Sequence, residues 1–190
     1  MRFNEHWNLE GRHAFLSPSN PHWIRYDADK LIKVYRNMQA KQRGTELHAF
    51  AADAIRLGRK LSNGRDALNR HVNDAIGFGL QPEKILYYSD HCFGTADAIN
   101  FDDGVLRIHD FKSGEHPASF DQLKVYAALF CLEYGFDPTQ INIVLRIYQN
   151  RLLQSNEAYE EVPEADQILY LMDHIVGCEA LLSEEDSLER

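Results

Sequence analysis

Opposite charges two positions apart close an otherwise apolar run in "LRIHDFKSG", residues 106–114, where Asp110 and Lys112 are followed at once by Ser113-Gly114. In an extended strand, residues two apart share a face and lie about 7 Å apart at Cα. Asp110 and Lys112 therefore project the same way as Leu106 and Ile108. Desolvating an Asp and a Lys on that face is costly unless they meet a cleft, a metal or each other. An ion pair on an edge strand is one reading of the stretch. Upstream, "GTADAI" (94–99) places a second acid, Asp97, between alanines. "DDG" (102–104) reads as a tight hairpin turn, and pairing about Asp103-Gly104 sets position 97 opposite position 110. Two carboxylates would then be cross-strand neighbours about 5 Å apart and would repel each other. A hard divalent cation relieves that repulsion, and oxygen ligands with an open coordination sphere suit Mg²⁺ or Mn²⁺ better than zinc. Lys112, beside a metal-bound water, would position or help deprotonate the nucleophile and offset charge growing on a phosphoryl group. Asp97, Asp110 and Lys112 around one cation have the chemistry of phosphodiester cleavage.

The elements that must position these residues follow from periodicity and punctuation. Leu31, Ile32, Val34 and Tyr35 recur at helical spacing over 27–38. "GTELHAFAADAIRLG" (44–58) carries an apolar stripe of Leu47, Ala51, Ala54, Ile55 and Gly58, and "GRDALNRHVNDAIGFG" (64–79) predicts a third helix ended by glycines. "KILYYS" (84–89), "FGTADAINF" (93–101) and "VLRIHDFK" (105–112) predict short strands. A helix over 119–134, a strand over 141–148 and an amphipathic helix over 163–182 complete the chain. The fold class expected is α/β, a central mixed β-sheet flanked by helices, with residues 105–148 as a strand–helix–strand crossover.

The 190 residues suit a single domain spanning 1–190, with 44% apolar and 26% charged residues, as in ordinary globular proteins. No apolar run approaches the ~18 residues of a membrane span and the start has no signal-peptide core, so a cytoplasmic place and no membrane partner are expected. Cys92, Cys131 and Cys178 are odd in number and widely spaced, which predicts reduced, mostly buried thiols. The net charge of −9 argues at first against nucleic acid. Its distribution changes that. From Arg151 onward eleven acids face two bases, so residues 1–150 are neutral, and Lys30 to Arg70 holds ten Lys or Arg. That stretch suits a phosphate backbone or a solvated helix surface.

"GTADAI…LRIHDFKSG" resembles the Asp, then Asp-x-Lys signature of the PD-(D/E)XK nucleases. "RGTELH" (43–48) is similar to the Gly-x-x-x-His helix motif, and "DQLKVYAALF" (121–130) to the Gln-x-x-x-Tyr helix motif, of the RecB-like branch, which includes CRISPR-adaptation nucleases and many phage exonucleases. Four motifs in the family's order cover about half the chain, and "HAFLSPSNPHWI" (13–24) looks like the start of small phage-encoded members. The resemblance implies a restriction-endonuclease-like core and a Mg²⁺- or Mn²⁺-dependent DNA exonuclease of phage or bacterial recombination or repair, with DNA and a recombination protein as partners. It implies that His48, Asp97, Asp110 and the Phe111 carbonyl hold the metal, that Asp97, Asp110 and Lys112 are catalytic, and that Gln122 and Tyr126, one helical turn apart, line the cleft beside the scissile strand. Glu46 projects about 200° from His48 and is not counted as a ligand. Iron–sulfur members of the branch use several C-terminal cysteines; Cys178 stands alone there, so no cluster is expected. A non-catalytic nucleic-acid-binding or assembly protein on the same fold is the second reading. A sequence-specific restriction enzyme would need a recognition domain that is not evident. His109 alternates to the face opposite Asp110 and reads as structural, His91 likewise, while His116 follows the motif strand and suits a phosphate contact.

Overall fold

The computed structural model describes residues 7, 11, 14–114, 117–150 and 158–188. His6, His13 and His116, with the phosphate contact expected of His116, lie outside them. The chain divides into two compact units, residues 1–43 and 44–190.

In the first unit a one-turn helix, Pro21–Arg25, follows a loop in which the Trp23 indole N–H donates to the Ser17 carbonyl at 3.0 Å. Phe15 meets Tyr35 edge-on at 5.0 Å and Lys30 lies over the Tyr26 ring. Asp27 accepts from the Lys30 N–H at 2.8 Å, capping the start of helix α1, Ala28–Arg56. The two helices expected over 27–38 and 44–58 are thus one helix of 29 residues, which crosses the unit boundary. The intervening Gln39-Ala40-Lys41-Gln42-Arg43 are all good helix formers, so nothing there breaks it.

The second unit is an α/β layer structure. Helix α2, Ala67–Gly77, is capped by Asp66, whose carboxylate accepts from the N–H groups of Leu68 and Asn69. Strands β1 (Gln81–Ser89), β2 (Cys92–Asp102), β3 (Val105–Lys112), β4 (Asn142–Gln149) and β5 (Tyr159–Glu161) form one mixed sheet in that order. Helix α3, Asp121–Tyr134, connects β3 to β4, which run parallel, while the other neighbours are antiparallel. The β2–β3 turn is Asp103-Gly104, both at positive φ (47° and 72°), as a two-residue turn between right-twisted strands requires. It sets the expected register, from Asp102 opposite Val105 to Ala98 opposite His109. Helix α4, Ala165–Leu188, ends later than its apolar pattern predicts. The three-residue β5 was not expected from sequence.

Alternation divides β3 between two cores. Leu106 and Ile108 pack with Leu145, Ile147, Leu123, Ala127 and Ile168 on the α3–α4 side. His109 and Phe111 point to the other, where Ala51, Ala54 and Ile55 of α1, Val72 and Ala75 of α2, and Ala98 form one cluster, and Ala67, Phe111 and Tyr148 another. Each fully buried large side chain contributes roughly 1.5–3 kcal/mol, so the ends of β2 and β3 are held firmly from both faces. Cys131 is buried as expected and Cys92 partly so; Cys178 is exposed, on α4 past Leu171, Met172 and Ile175, which pack on the core.

Candidate active site

Strands β2 and β3 part company after the Ala98–His109 pair, and the site lies in the gap. Two observations locate the departure at Asp97. In the β1–β2 ladder Pro82 pairs with Ala98 and Lys84 with Ala96, but Glu83 and Asp97 form no pair, and Glu83 adopts a left-handed φ of 52°. Ala96 is buried in the α3-side core and Ala98 in the α1–α2 core, whereas residues two apart on a regular strand share a face. The Asp97 carboxylate is thereby turned toward α1. This corrects the expectation that Asp97 and Asp110 face each other as ladder partners: the register is right, but the ladder stops one pair short.

Asp97 Oδ2 is 3.1 Å from His48 Nδ1 and accepts from the Phe111 N–H at 2.9 Å. An extended residue aims its N–H and C=O at the same neighbouring strand, so the Phe111 carbonyl also faces the gap. His48 reaches it because α1 comes close to the end of β3. Gly44 is buried, and a Cβ there would stand 3.0 Å from Ser113 Oγ. One turn later His48 packs its ring against Phe111 at 5.4 Å between centroids. The glycine expected to start a helix instead lies within one and permits this approach.

On the other side of β3, Lys112 Nζ lies 3.1 Å from each carboxylate oxygen of Asp110 and donates to Oδ1. Oδ2 of Asp110 is left buried without a hydrogen bond. Lys112 also donates to Gln122 Oε1 at 2.7 Å, Gln122 donates to the Tyr126 hydroxyl at 3.2 Å, and that hydroxyl donates to the Thr95 carbonyl at 2.7 Å. Gln122 and Tyr126 thus share one face of α3, as their spacing predicts, and tie the motif strand back to β2. Gly94 gives the Tyr126 ring its seat, since a Cβ there would be 2.9 Å from Cε1.

The sequence residues accordingly assemble as two pairs, His48–Asp97 and Asp110–Lys112, each close enough to perturb the other. The hydrogen bond to Asp97 raises the His48 pKa; burial opposes it, and the Asp97 and Asp110 charges add to the rise. Burial pushes the Asp97 carboxyl up, but its bonds from His48 and the Phe111 N–H more than offset this and leave it below the usual range. Asp110, buried and facing the Asp97 charge, is pushed up to about 6 against the pull of Lys112. Among the described residues no group of three or more His, Cys, Asp and Glu side chains is arranged to hold a metal ion.

Sequence reasoning missed the supports. Gln149, opposite Lys112 in β4, is buried and donates to the Gly114 carbonyl, which holds the turn after the motif. His71 of α2 lies buried between the Phe111 and Tyr148 rings, and desolvation lowers its pKa to about 4. His109 has the structural place expected of it. The Tyr148 hydroxyl donates to Asp74 at 2.8 Å and lies 3.3 Å from His109 Nδ1, so that nitrogen carries the proton. No marker at these positions distinguishes a support from ordinary core. His91, read as structural, bridges Glu179 at 3.2 Å and Asp186 at 3.1 Å on α4.

No family model matches the chain. No curated protein matches it either. A solved structure, "Crystal structure of SSO0001", aligns with 11% identity and a TM-score of 0.29, over 53% of this chain and 52% of that one. The chain therefore spans about half the length of that structure. The fold that stands is an α/β protein with a five-stranded mixed sheet flanked by helices, and no helix among the described residues is long and apolar enough to cross a membrane.

Proposed function

We propose that this chain is a metal-dependent DNA nuclease of the PD-(D/E)XK superfamily, RecB-like branch, which hydrolyses phosphodiester bonds at DNA ends inside a phage-infected or bacterial cell. The observation that carries the reading is the buried, hydrogen-bond-free Oδ2 of Asp110, set beside Lys112 and across from the Asp97–His48 pair. A carboxylate buried beside a second one is costly to keep ionised, even with the Lys112 ammonium 3.1 Å from its Oδ2. A hard divalent cation is a fitting partner for it, since Asp97, Asp110 and the Phe111 carbonyl supply oxygens and His48 an imidazole. These four residues would hold Mg²⁺ or Mn²⁺, which when bound supplies Lewis-acid activation of a phosphoryl oxygen and of water. Lys112 then exchanges its pairing with Asp110 for the nucleophile or the phosphoryl charge, and Gln122 fixes its ammonium while it does so. Tyr126 holds Gln122 in place through Thr95.

One observation favours the second reading, a nuclease-fold protein that binds nucleic acid or serves in an assembly without cutting. The ligating atoms already satisfy one another pairwise, His48 with Asp97 and Lys112 with Asp110. Linear and circular DNA incubated with Mg²⁺ or Mn²⁺ separate the two. The first reading expects loss of linear DNA alone, abolished in Lys112→Ala and Asp110→Ala. Retained DNA binding with no cleavage supports the second.

A further inference from the structure

Ile85, Tyr87 and Phe93 stand out on the β1–β2 hairpin because they are apolar, adjacent and 59%, 46% and 62% exposed. Tyr87 pairs with Phe93 across the strands, and their rings stack at 6.4 Å between centroids with 28° between planes. Their neighbours Leu86 and Gly94 face α3, with Leu86 buried in that core and Gly94 under Tyr126. Alternation therefore puts Tyr87 and Phe93 on the opposite side of the sheet, the side to which Asp97 turns to meet His48. Phe93 and Asp97 lie on the same strand, four residues or about 13 Å apart.

Resting on the nuclease reading above, we infer that Tyr87 and Phe93 form a stacking subsite for an unpaired nucleobase of the DNA strand whose phosphate enters the Asp97–Asp110 site. Between Phe93 and Asp97, on the face of Phe93, lies Thr95, which is exposed. The ring of Tyr87 is held by its hydroxyl, which donates to Asp90 at 3.0 Å, so the platform is fixed in advance. Its backbone N–H is taken by the Glu133 carboxylate at 2.9 Å, which closes the edge of β1 there against an added strand. Asp90 and Glu133 disfavour a phosphate at this place, and the uncharged face of a base is what remains for two stacked rings to take. A base within a duplex has both faces covered by its neighbours. Only an unpaired one, in a single strand or a frayed end, fits.

The test is fluorescence anisotropy in EDTA with the full chain, using a labelled single-stranded oligonucleotide, a duplex of the same sequence and a single strand with abasic sites throughout. Phe93→Ser and Tyr87→Ser are surface changes and should each weaken binding of the single strand about tenfold or more, leave the duplex unchanged, and have no further effect on the abasic strand. Phe93→Trp should restore wild-type affinity. Equal losses on all three DNAs, or a Phe93→Trp as weak as Phe93→Ser, overturn the subsite. So does a wild-type dimer on size exclusion that Phe93→Ser splits, since the face would then join two protein copies. Cleavage with Mn²⁺ in the same preparations keeps the two readings apart. DNA cut equally by wild type and the Ser variants, with unchanged affinities, sinks the subsite and leaves the nuclease. Base-dependent binding without cleavage sinks the nuclease and leaves the subsite.

Discussion

Replacing Asp110 by Asn should stabilise the metal-free protein and, on the proposed nuclease reading, abolish DNA cleavage. In the folded chain burial and the neighbouring Asp97 lift Asp110 from 3.8 to about 6. The sign follows from proton counting. Between pH 3.8 and 6 the folded state holds a proton on Asp110 that the unfolded state has released, so stability falls as pH rises through that window. Above it the loss is complete and constant. Two pKa units correspond to about 3 kcal/mol, and the attraction of Lys112 is already contained in that figure. Asparagine matches the protonated acid in shape and carries no charge to desolvate. Urea unfolding of Asp110→Asn in EDTA at pH 7.5 should therefore show a gain of up to about 3 kcal/mol, or roughly 6–12 °C in thermal midpoint for a chain of this size. The two proteins should converge as pH approaches 4. Adding Mg²⁺ or Mn²⁺ at a hundred times its dissociation constant should return about 2.7 kcal/mol to the wild type and none to the variant. A variant no more stable than wild type at pH 7.5 in EDTA would refute the idea that this carboxylate is held ionised against its surroundings to await a cation.

The support residues make further tests. Gly44→Ala sets a Cβ against Ser113 Oγ, so in a Ser113→Ala background it should gain the ~0.5–1 kcal/mol usual for Gly→Ala in a helix and in the native background less; a thermodynamic cycle on the two positions reads the difference. Gly94→Ala drives a methyl into the Tyr126 ring, which should loosen Gln122 and Lys112 and lower the rate of DNA cleavage by more than it lowers the urea midpoint. His91 sits between Glu179 and Asp186, and its hydrogen bond to Glu179 raises its pKa. Its stabilising contact is fully present below pH 6.5 and lost as pH rises through the raised folded value, because a neutral imidazole donates to only one of the two carboxylates. Hydrogen exchange in the last turns of α4 should accelerate across that rise in wild type and show no such step in His91→Ala.

What the sequence made legible was set by neighbours in the chain. A two-residue turn at Asp103-Gly104 fixes the β2–β3 register outright, strict alternation puts Asp110 and Lys112 on one face, and a four-residue helical step does the same for Gln122 and Tyr126. The illegible parts depend on residues far apart. Glycine in a helical pattern ends the helix or admits a close neighbour; at Gly44 only the distant Ser113 decides between the two. Strand β5 is too short to show alternation and is held by the Arg146–Glu160 ion pair at 2.6 Å across the sheet edge. The turn of Asp97 was hidden most deeply, because it comes with a left-handed Glu83, and glutamate carries no signal for that conformation, unlike Asp-Gly. Yet that departure makes the gap. A ladder continued past Ala98 would have bonded the Phe111 N–H to the backbone of β2 and left Asp97 on the face of Ile99, away from His48. Local rules break where tertiary contacts override them, and here the break turns Asp97 off the face it would share with Ile99 and toward the His48 imidazole.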